Sequence, residues 1–379
     1  MMNQVNSPGL WALAWRRLKA DSVAMISLGV VSLFMLLLML SYSGLIAADW
    51  DTEAGVSYAP PGFLHTANQQ LTQPPGEQLS KPEATPVVAD NPLDPLRDVI
   101  RELNQAQGNK DAAATTSQSE NKDSSEVVDP IAQELAEIQA ELAKKQQTQI
   151  QERADSLPFG ADKWGHDIIK KTIKGAETSI LVGIVAALLA TLLGTLFGAT
   201  AGYFGGRVDD FFNWFYSIFT SIPYLLLILS VAAVLQQKGV GTIILILALT
   251  GWTGPFRLIR AEYMKHKARE YVWAADAIGA SHLRKMFIHI FPNISHVALV
   301  QVSILVVGFI KSEVILSFLG FGVPVGTVSW GSMLNEAQNE LILGKWWQLT
   351  AATAAMALLV TAFSLFTDAL RDALDPKLK

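Results

Sequence analysis

The chain has 379 residues, half of them hydrophobic and only 17% charged, with a mean hydropathy of +0.30. Soluble domains carry about 25% charged residues, so this balance excludes a disordered chain and an ordinary soluble enzyme. A net charge of -5 excludes the basic face of a nucleic-acid binder, and the lack of cysteine excludes disulfides, thiolate chemistry, iron–sulfur clusters and cysteine-bound zinc.

In chain order, a basic N-terminus (Arg16, Arg17, Lys19) precedes the first apolar stretch, Val23–Ala47. It is too long for a signal-peptide core and ends in no small-x-small site, so it is expected to be a retained anchor, with 1–48 as N-terminus and first span. Residues 49–160 then read as a polar, acidic insertion with 8 Lys/Arg and 19 Asp/Glu, a net of -11 that leaves about +6 for the rest. Within it, Leu96, Val99, Ile100 and Leu103 fall on one helix face, and Ile131, Leu135, Ile138 and Leu142 follow an a/d spacing behind Pro130. The second face predicts a lone surface helix, weak self-association or a docking contact. Residues 104–129 have the composition of a linker.

Residues 161–379 hold five more apolar stretches: Ser179–Phe204, Phe211–Leu235, Gly241–Leu258, His296–Phe318 and Trp347–Leu370. They are long enough to cross a bilayer, which takes roughly 20 residues, although the fourth span of the chain, Gly241–Leu258, is short and broken by Gly251, Gly254 and Pro255. The third span of the chain contains Pro223, tolerated if neighbours satisfy the freed carbonyl. Gly194, Gly198 and Gly202 repeat a GxxxG spacing and predict a close helix approach, either to a partner or within the bundle. The fold class expected is an all-α polytopic membrane protein with six spans and a large, irregular or helical extracytoplasmic insertion after the first. Arginine and lysine cluster at the N-terminus, at Arg207, through 257–295 and in the C-terminal tail, so that side is assigned to the cytoplasm. Both termini are then cytoplasmic and the insertion lies outside. Lys163, Lys170, Lys171 and Lys174 run against this bias.

No Walker A sequence occurs: the one Gly-Lys pair is Gly344-Lys345, followed by Trp346. No H-E-x-x-H is present, the six histidines make no strong metal spacing, and nothing resembles a nucleophile elbow. No cofactor, metal or catalytic residue is expected, and the chain is expected not to be an enzyme. In the fifth span Lys311 and Glu313 stand two residues apart, about 200° around the helix. Each is a candidate for the translocation path, for an ion pair with a neighbouring helix, or, for Lys311, for snorkelling.

The cytoplasmic loop 257–295 is the most informative stretch. A short helix through Tyr271–Ile278 stopped by Gly279, then a second through His282–Ile290 ending before Pro292, predict a compact helix–turn–helix with exposed Ala and aromatic residues. Spanning lipid requires no such element, so it reads as a docking surface.

At these residues the chain resembles the membrane subunits of bacterial ATP-binding-cassette importers. Ala274-Ala275-x-x-x-Gly279, with Phe291-Pro292 downstream, is similar to their EAA loop. The fuller run from Glu270 through Ser281, with His289-Ile-x-Pro292-Asn293, resembles the dipeptide, oligopeptide and nickel branch. Phe159-Gly-Ala-Asp162-x-x-Gly165-x-Asp167, Gly202-Tyr-Phe-Gly-Gly206-x-x-Asp209, and Ser317-Phe-Leu-Gly320-Phe-Gly322 with Ser329-Trp330-Gly331 resemble further segments of that branch in the same order. Trp273 stands where the motif glutamate stands, Glu270 is the separate upstream acid, and His166 replaces an arginine.

The resemblance implies the type I permease architecture in a bacterial inner membrane, and a pore-forming subunit of an ATP-driven importer for di- or oligopeptides or a similar small solute. Its implied partners are a second homologous permease, two ATP-binding-cassette ATPases that hydrolyse ATP, an extracytoplasmic substrate-binding protein and membrane lipid, with no nucleic acid. Glu270, Trp273, Ala274, Ala275, Gly279 and Pro292 are the implied ATPase-coupling residues. The alternatives are a stand-alone channel or secondary transporter and a membrane scaffold or sensor working through its acidic outer segment.

Overall fold

The computed structural model describes residues 10–64, 153–324 and 326–374. The predicted helix faces at Leu96–Leu103 and Ile131–Leu142 and the linker 104–129 lie outside these. Among the described residues the chain is helical, and its β-type pairing is limited to isolated bridges.

An N-terminal helix α1 (Leu10–Ala20) leads into α2 (Ser22–Tyr42), the first span. Asp21 between them caps α2, its carboxylate accepting from the backbone N–H of Val23 at 2.9 Å and Ala24 at 3.3 Å. The second span is α3 (Ile168–Phe204), capped by Asp167. It starts eleven residues before the predicted Ser179, because polar turns carrying Lys170, Lys171 and Lys174 precede its apolar stretch. Its 37 residues reach about 55 Å, well beyond the ~30 Å hydrocarbon core.

Two predicted spans are broken. The third is α4 (Gly206–Ser221) and α5 (Tyr224–Leu235), bent by 90°. The proline expected to be tolerated instead ends the helix: Ile222, just before Pro223, sits extended at φ -101°, ψ 130°, as a residue preceding proline prefers. The fourth is α6 (Val240–Gly251) and α7 (Thr253–Lys267), bent by 42° around Trp252. A short helix, α8 (Glu270–Ala277), follows, then α9 (His282–Arg284) and a π-helical turn over Lys285–Ile290. That turn runs directly into α10 (Phe291–Phe318), so the helix expected to end before Pro292 does not end. Pro292 occupies the first turn of α10, where its missing N–H costs little. After α10 come α11 (Trp330–Ile342) and the last span, α12 (Trp347–Leu374). Among the described residues there are therefore four helices long and apolar enough to span, or up to six spans if each bent pair counts as one.

The glycine repeat of α3 meets α7 inside this chain. A Cβ on Gly194 would stand 2.6 Å from the Trp252 carbonyl oxygen, one on Gly198 2.8 Å from that of Phe256, and one on Gly202 2.5 Å from that of Arg260. Backbone therefore rests on backbone along three turns, and of the two readings of the repeat it is packing within the bundle that is found. The bend at Trp252 is held by rings: Phe197 at 5.3 Å, Phe215 stacked at 5.3 Å and Phe219 at 5.4 Å.

The edges of the acidic insertion belong to the helical body. Gly55 bridges Ala154 and Pro61 bridges Leu157, while Glu53 bridges His166. The Trp347 indole N–H donates to the Ala161 carbonyl at 2.7 Å, tying this neck to α12. At the opposite end of the bundle, Ala14, Leu18, Ala24, Val300, Ala373 and Leu374 form one cluster, so α1, the start of α10 and the end of α12 share a side.

Candidate coupling surface and buried polar hub

Helix α8 ends in a Schellman arrangement: Gly279 N–H donates to the Asp276 carbonyl and Ala280 N–H to that of Ala275, with Gly279 at φ +78°. Its inner face is Val272 and Ala275, at 5% and 4% exposure. Val272 joins a cluster with Ala199 and Tyr203 of α3, Ile259 and Tyr263 of α7, Met286 and Ile290 of the π turn and Ile294 of α10. Hydrogen bonds reinforce it: Tyr263 Oη donates to the Met286 carbonyl at 3.1 Å, and Tyr203 Oη meets His282 Nδ1 at 3.0 Å. Lys285, nearly buried, places Nζ 2.5 Å from Asp276 Oδ1, and that hydrogen bond holds the Asp276 carboxyl below the usual carboxylate range. α8 is thereby fixed to the ends of three spanning elements.

The outer face is apolar. Trp273 is 63% exposed and Ile278 81%, and Leu283, Phe287 and Ile288 on the following turns are exposed as well. The two predicted alanines part company: Ala275 packs inward while Ala274 faces outward beside Trp273. Glu270 is exposed in the first turn of α8, Gly279 forms its cap, and Pro292 is exposed at the start of α10. Ile278, Leu283, Phe287 and Ile288 were not singled out from the sequence. Their signal was available, as large apolar residues in a basic loop outside any span.

Glu313 and Lys311 point apart, as their spacing requires. Lys311 is exposed, whereas Glu313 is fully buried and accepts from Ser179 Oγ at 2.6 Å and Ser317 Oγ at 2.7 Å. Ser179 Oγ in turn accepts from the Trp330 backbone N–H at 3.2 Å. A Cβ on Gly331 would lie 2.5 Å from Ser317 Cβ and 2.6 Å from the Val314 carbonyl oxygen. The Ser317–Gly322 and Ser329–Gly331 motifs thus fold against α3 and α10 around this one carboxylate.

A second hub lies at the neck. Lys171 Nζ contacts Asp162 Oδ2 and Glu336 Oε2, each at 2.6 Å, with Gln348 Oε1 at 3.4 Å. Asp162 also accepts from the backbone N–H groups of Trp164 and His166 and lies 3.0 Å from His166 Nδ1. On α11, Glu340 is 1% exposed, and among the described residues neither carboxylate oxygen has a well-aligned hydrogen-bond partner. Burial, with Asp162 and Glu336 nearby and with Lys171 and the Lys163 backbone N–H opposing, pushes its pKa up to about 7. A proton held more tightly in the folded state stabilises fully below the ordinary carboxylate range near 4.5 and is lost as pH rises through about 7. The loss amounts to about 3 kcal/mol. Glu340→Gln should therefore flatten the decline of thermal stability between pH 5 and pH 8. An unchanged slope in the purified variant would show that Glu340 is already ionised.

Residues 194–379 match the family described as binding-protein-dependent transport system inner membrane component, and residues 9–61 match the N-terminal TM domain of oligopeptide transport permease C. The chain is 38% identical over 221 residues to the dipeptide transport system permease protein DppC of Bacillus subtilis, covering 58% of this chain and 69% of that one. It is 37% identical over 221 residues to the oligopeptide transport system permease protein OppC of the same organism, covering 58% and 72%. To the peptidoglycan transport system permease protein YejE of Agrobacterium fabrum it is 34% identical over 219 residues, covering 58% and 57%.

Proposed function

The chain belongs to the binding-protein-dependent transport system inner membrane components, and from that membership we propose that it is the pore-forming permease subunit of an ATP-driven peptide importer, coupled to its ATPases through α8. Di- or oligopeptides are the substrate class that the names of the dipeptide and oligopeptide relatives suggest. The observation that carries the coupling is the contrast between the two faces of α8. Its outer face offers Trp273 and Ile278 to a partner, while its inner face is packed and hydrogen-bonded into α3, α7 and α10. A partner that shifts α8 must shift those elements with it, which is the domain rocking that alternates access.

The orientation that this mechanism needs puts α8 and both termini in the cytoplasm. The clustering of α1 with the start of α10 and the end of α12 supports it. The lysines that oppose the charge bias support it too once their partners are counted. Lys170 pairs with Asp49, Lys171 with Asp162 and Glu336, and Lys174 with Glu177. Glu270, Trp273, Ala274 and Gly279 then form or shape the docking face, and Ala275 fixes it to the bundle. Glu313 organises the outer half of the pore wall rather than contacting solute, and the exposed Lys311 is left as the charge available to the path or to the second permease.

Affinity purification of the full-length chain from its native membrane tests the reading. It should bring two ATPases and a second homologous permease, and the reconstituted assembly should take up peptides only with ATP and the substrate-binding protein. A chain that purifies alone and passes solute without ATP overturns it.

A further inference from the structure

A cavity of about 810 Å³ opens at the end of the bundle that carries α8, between α7, α10 and α12. Its mouth and its depth differ in chemistry. Around the mouth stand, among the described residues, Lys265, Arg269 and Arg371, three fixed cations against one lining carboxylate, Glu262, which pairs with Lys265 at 2.9 Å and approaches His266 at 3.6 Å. Arg269 and Arg371 are exposed, and His296 and the Tyr271 hydroxyl complete a ring of polar groups. Deeper in, the wall is mostly apolar, made by Leu258, Val297, Val300 and Ile304, with the Gln301 side chain as its one polar interruption among the described residues. From His296 to Ile304 the wall of α10 runs about 12 Å along the membrane-spanning direction.

A cationic mouth at a span's end above an apolar wall of that depth matches one chemistry: a phosphate ester carrying an acyl chain. A soluble anion would have no use for the apolar wall, and a zwitterionic lipid would leave the surplus positive charge unmatched. Basic cavities between membrane helices at this level hold anionic headgroups by the same complementarity. We propose that this cavity binds an anionic phospholipid, with the phosphate held by Lys265, Arg269 and Arg371 and the proximal acyl chain along Val297, Val300 and Ile304. The site adjoins α8 through Arg269 and Tyr271, so an occupying lipid would brace the loop on which the proposed coupling depends. The binding itself does not rest on that coupling.

The full-length chain, purified in detergent and stripped of lipid, would be titrated with phosphatidylglycerol, phosphatidylcholine or inorganic phosphate. Bound lipid would be read by native mass spectrometry and the unfolding midpoint by thermal melting. Phosphatidylglycerol should bind and raise the midpoint where the other two do not. K265Q/R269Q/R371Q should weaken that binding roughly a hundredfold, at about fivefold per charge. K265R/R269K/R371K should keep it. Ile304→Trp, which fills the apolar wall at an exposed position and leaves every charge in place, should weaken it as well, and this arm stands even if the triple variant folds poorly. Equal retention of the two lipids, or equal protection by inorganic phosphate, overturns the proposal. So does displacement of the lipid by a transported peptide, which would make the cavity part of the translocation path.

Discussion

Lys171→Met should leave little folded protein in the membrane. Lys171 is 3% exposed at its side chain and answers two carboxylates at 2.6 Å, of which Asp162 is fully buried. Burial opposes the charge on Asp162, but Lys171 beside it, with hydrogen bonds from Lys171 and from the His166 backbone, holds the carboxyl below its usual range. Removing one partner of such a pair strands the other charge and costs roughly 3–5 kcal/mol, a large share of any domain's net stability. The loss would spread because the hub joins elements far apart in sequence. Asp162 sits in the neck, Lys171 on α3, Glu336 on α11 and Gln348 on α12. Membrane abundance and the unfolding midpoint in detergent measure the effect. Adding Asp162→Asn to Lys171→Met should recover part of the loss, since the amide oxygen can still accept from Trp164 and His166 without a buried charge. A single variant as stable as the parent, or a double variant no better than the single, would show that the ion pair contributes nothing net.

That hub also marks the boundary of what could be read from the chain alone. The spans were legible because hydropathy is local, and so were the stop at Gly279 and the separation of Lys311 from Glu313, which follow from helix geometry. The bend at Pro223 was misjudged because a proline's effect depends on whether neighbouring helices hold the span straight, and here Ile222 is free to extend. The π turn before Pro292 had no local signal, since Lys285–Ile290 is ordinary helical sequence. Helix α11 falls between the fifth and sixth predicted spans, where hydropathy predicts no element, although Trp330, Met333, Ala337 and Glu340 repeat at helical spacing and all four are buried. The ion pairs were invisible for a plainer reason: Lys171 and Glu336 are 165 residues apart, and Arg260, which grips Asp209 through two hydrogen bonds of 2.5 and 2.6 Å, is 51 residues away. Several motifs that looked functional by resemblance are partly explained by these contacts. Asp162 receives Lys171, Asp167 caps α3, Asp209 receives Arg260, and Ser317 with Gly331 closes over Glu313.

Ile278→Glu should separate the permease from its ATPases without unfolding it. Ile278 is 81% exposed, and its role in the helix cap is carried by its backbone N–H, which the substitution leaves in place. Seated in a partner's apolar cleft, such a side chain contributes about 1.5–3 kcal/mol. A carboxylate in the same cleft loses that and must also be desolvated. The two terms together predict at least a hundredfold weaker ATPase binding, or about 2.7 kcal/mol. Peptide uptake should collapse while the thermal midpoint of the permease stays at its parental value, a combination that damage to the bundle would not produce. Trp273→Glu sharpens the result because it puts back the acid that the resembling motif carries at that place. If the cleft of the cognate ATPase has adapted to an aromatic anchor, as the 63% exposure of Trp273 suggests, this variant should also lose binding, by roughly thirtyfold or more for an anchor of about 2 kcal/mol. If instead it binds as well as the parent, the contact at that position is polar and the weight of docking rests on Ile278 and the turn behind it. Uptake and ATPase recovery at parental levels in Ile278→Glu would move the docking face off α8 altogether.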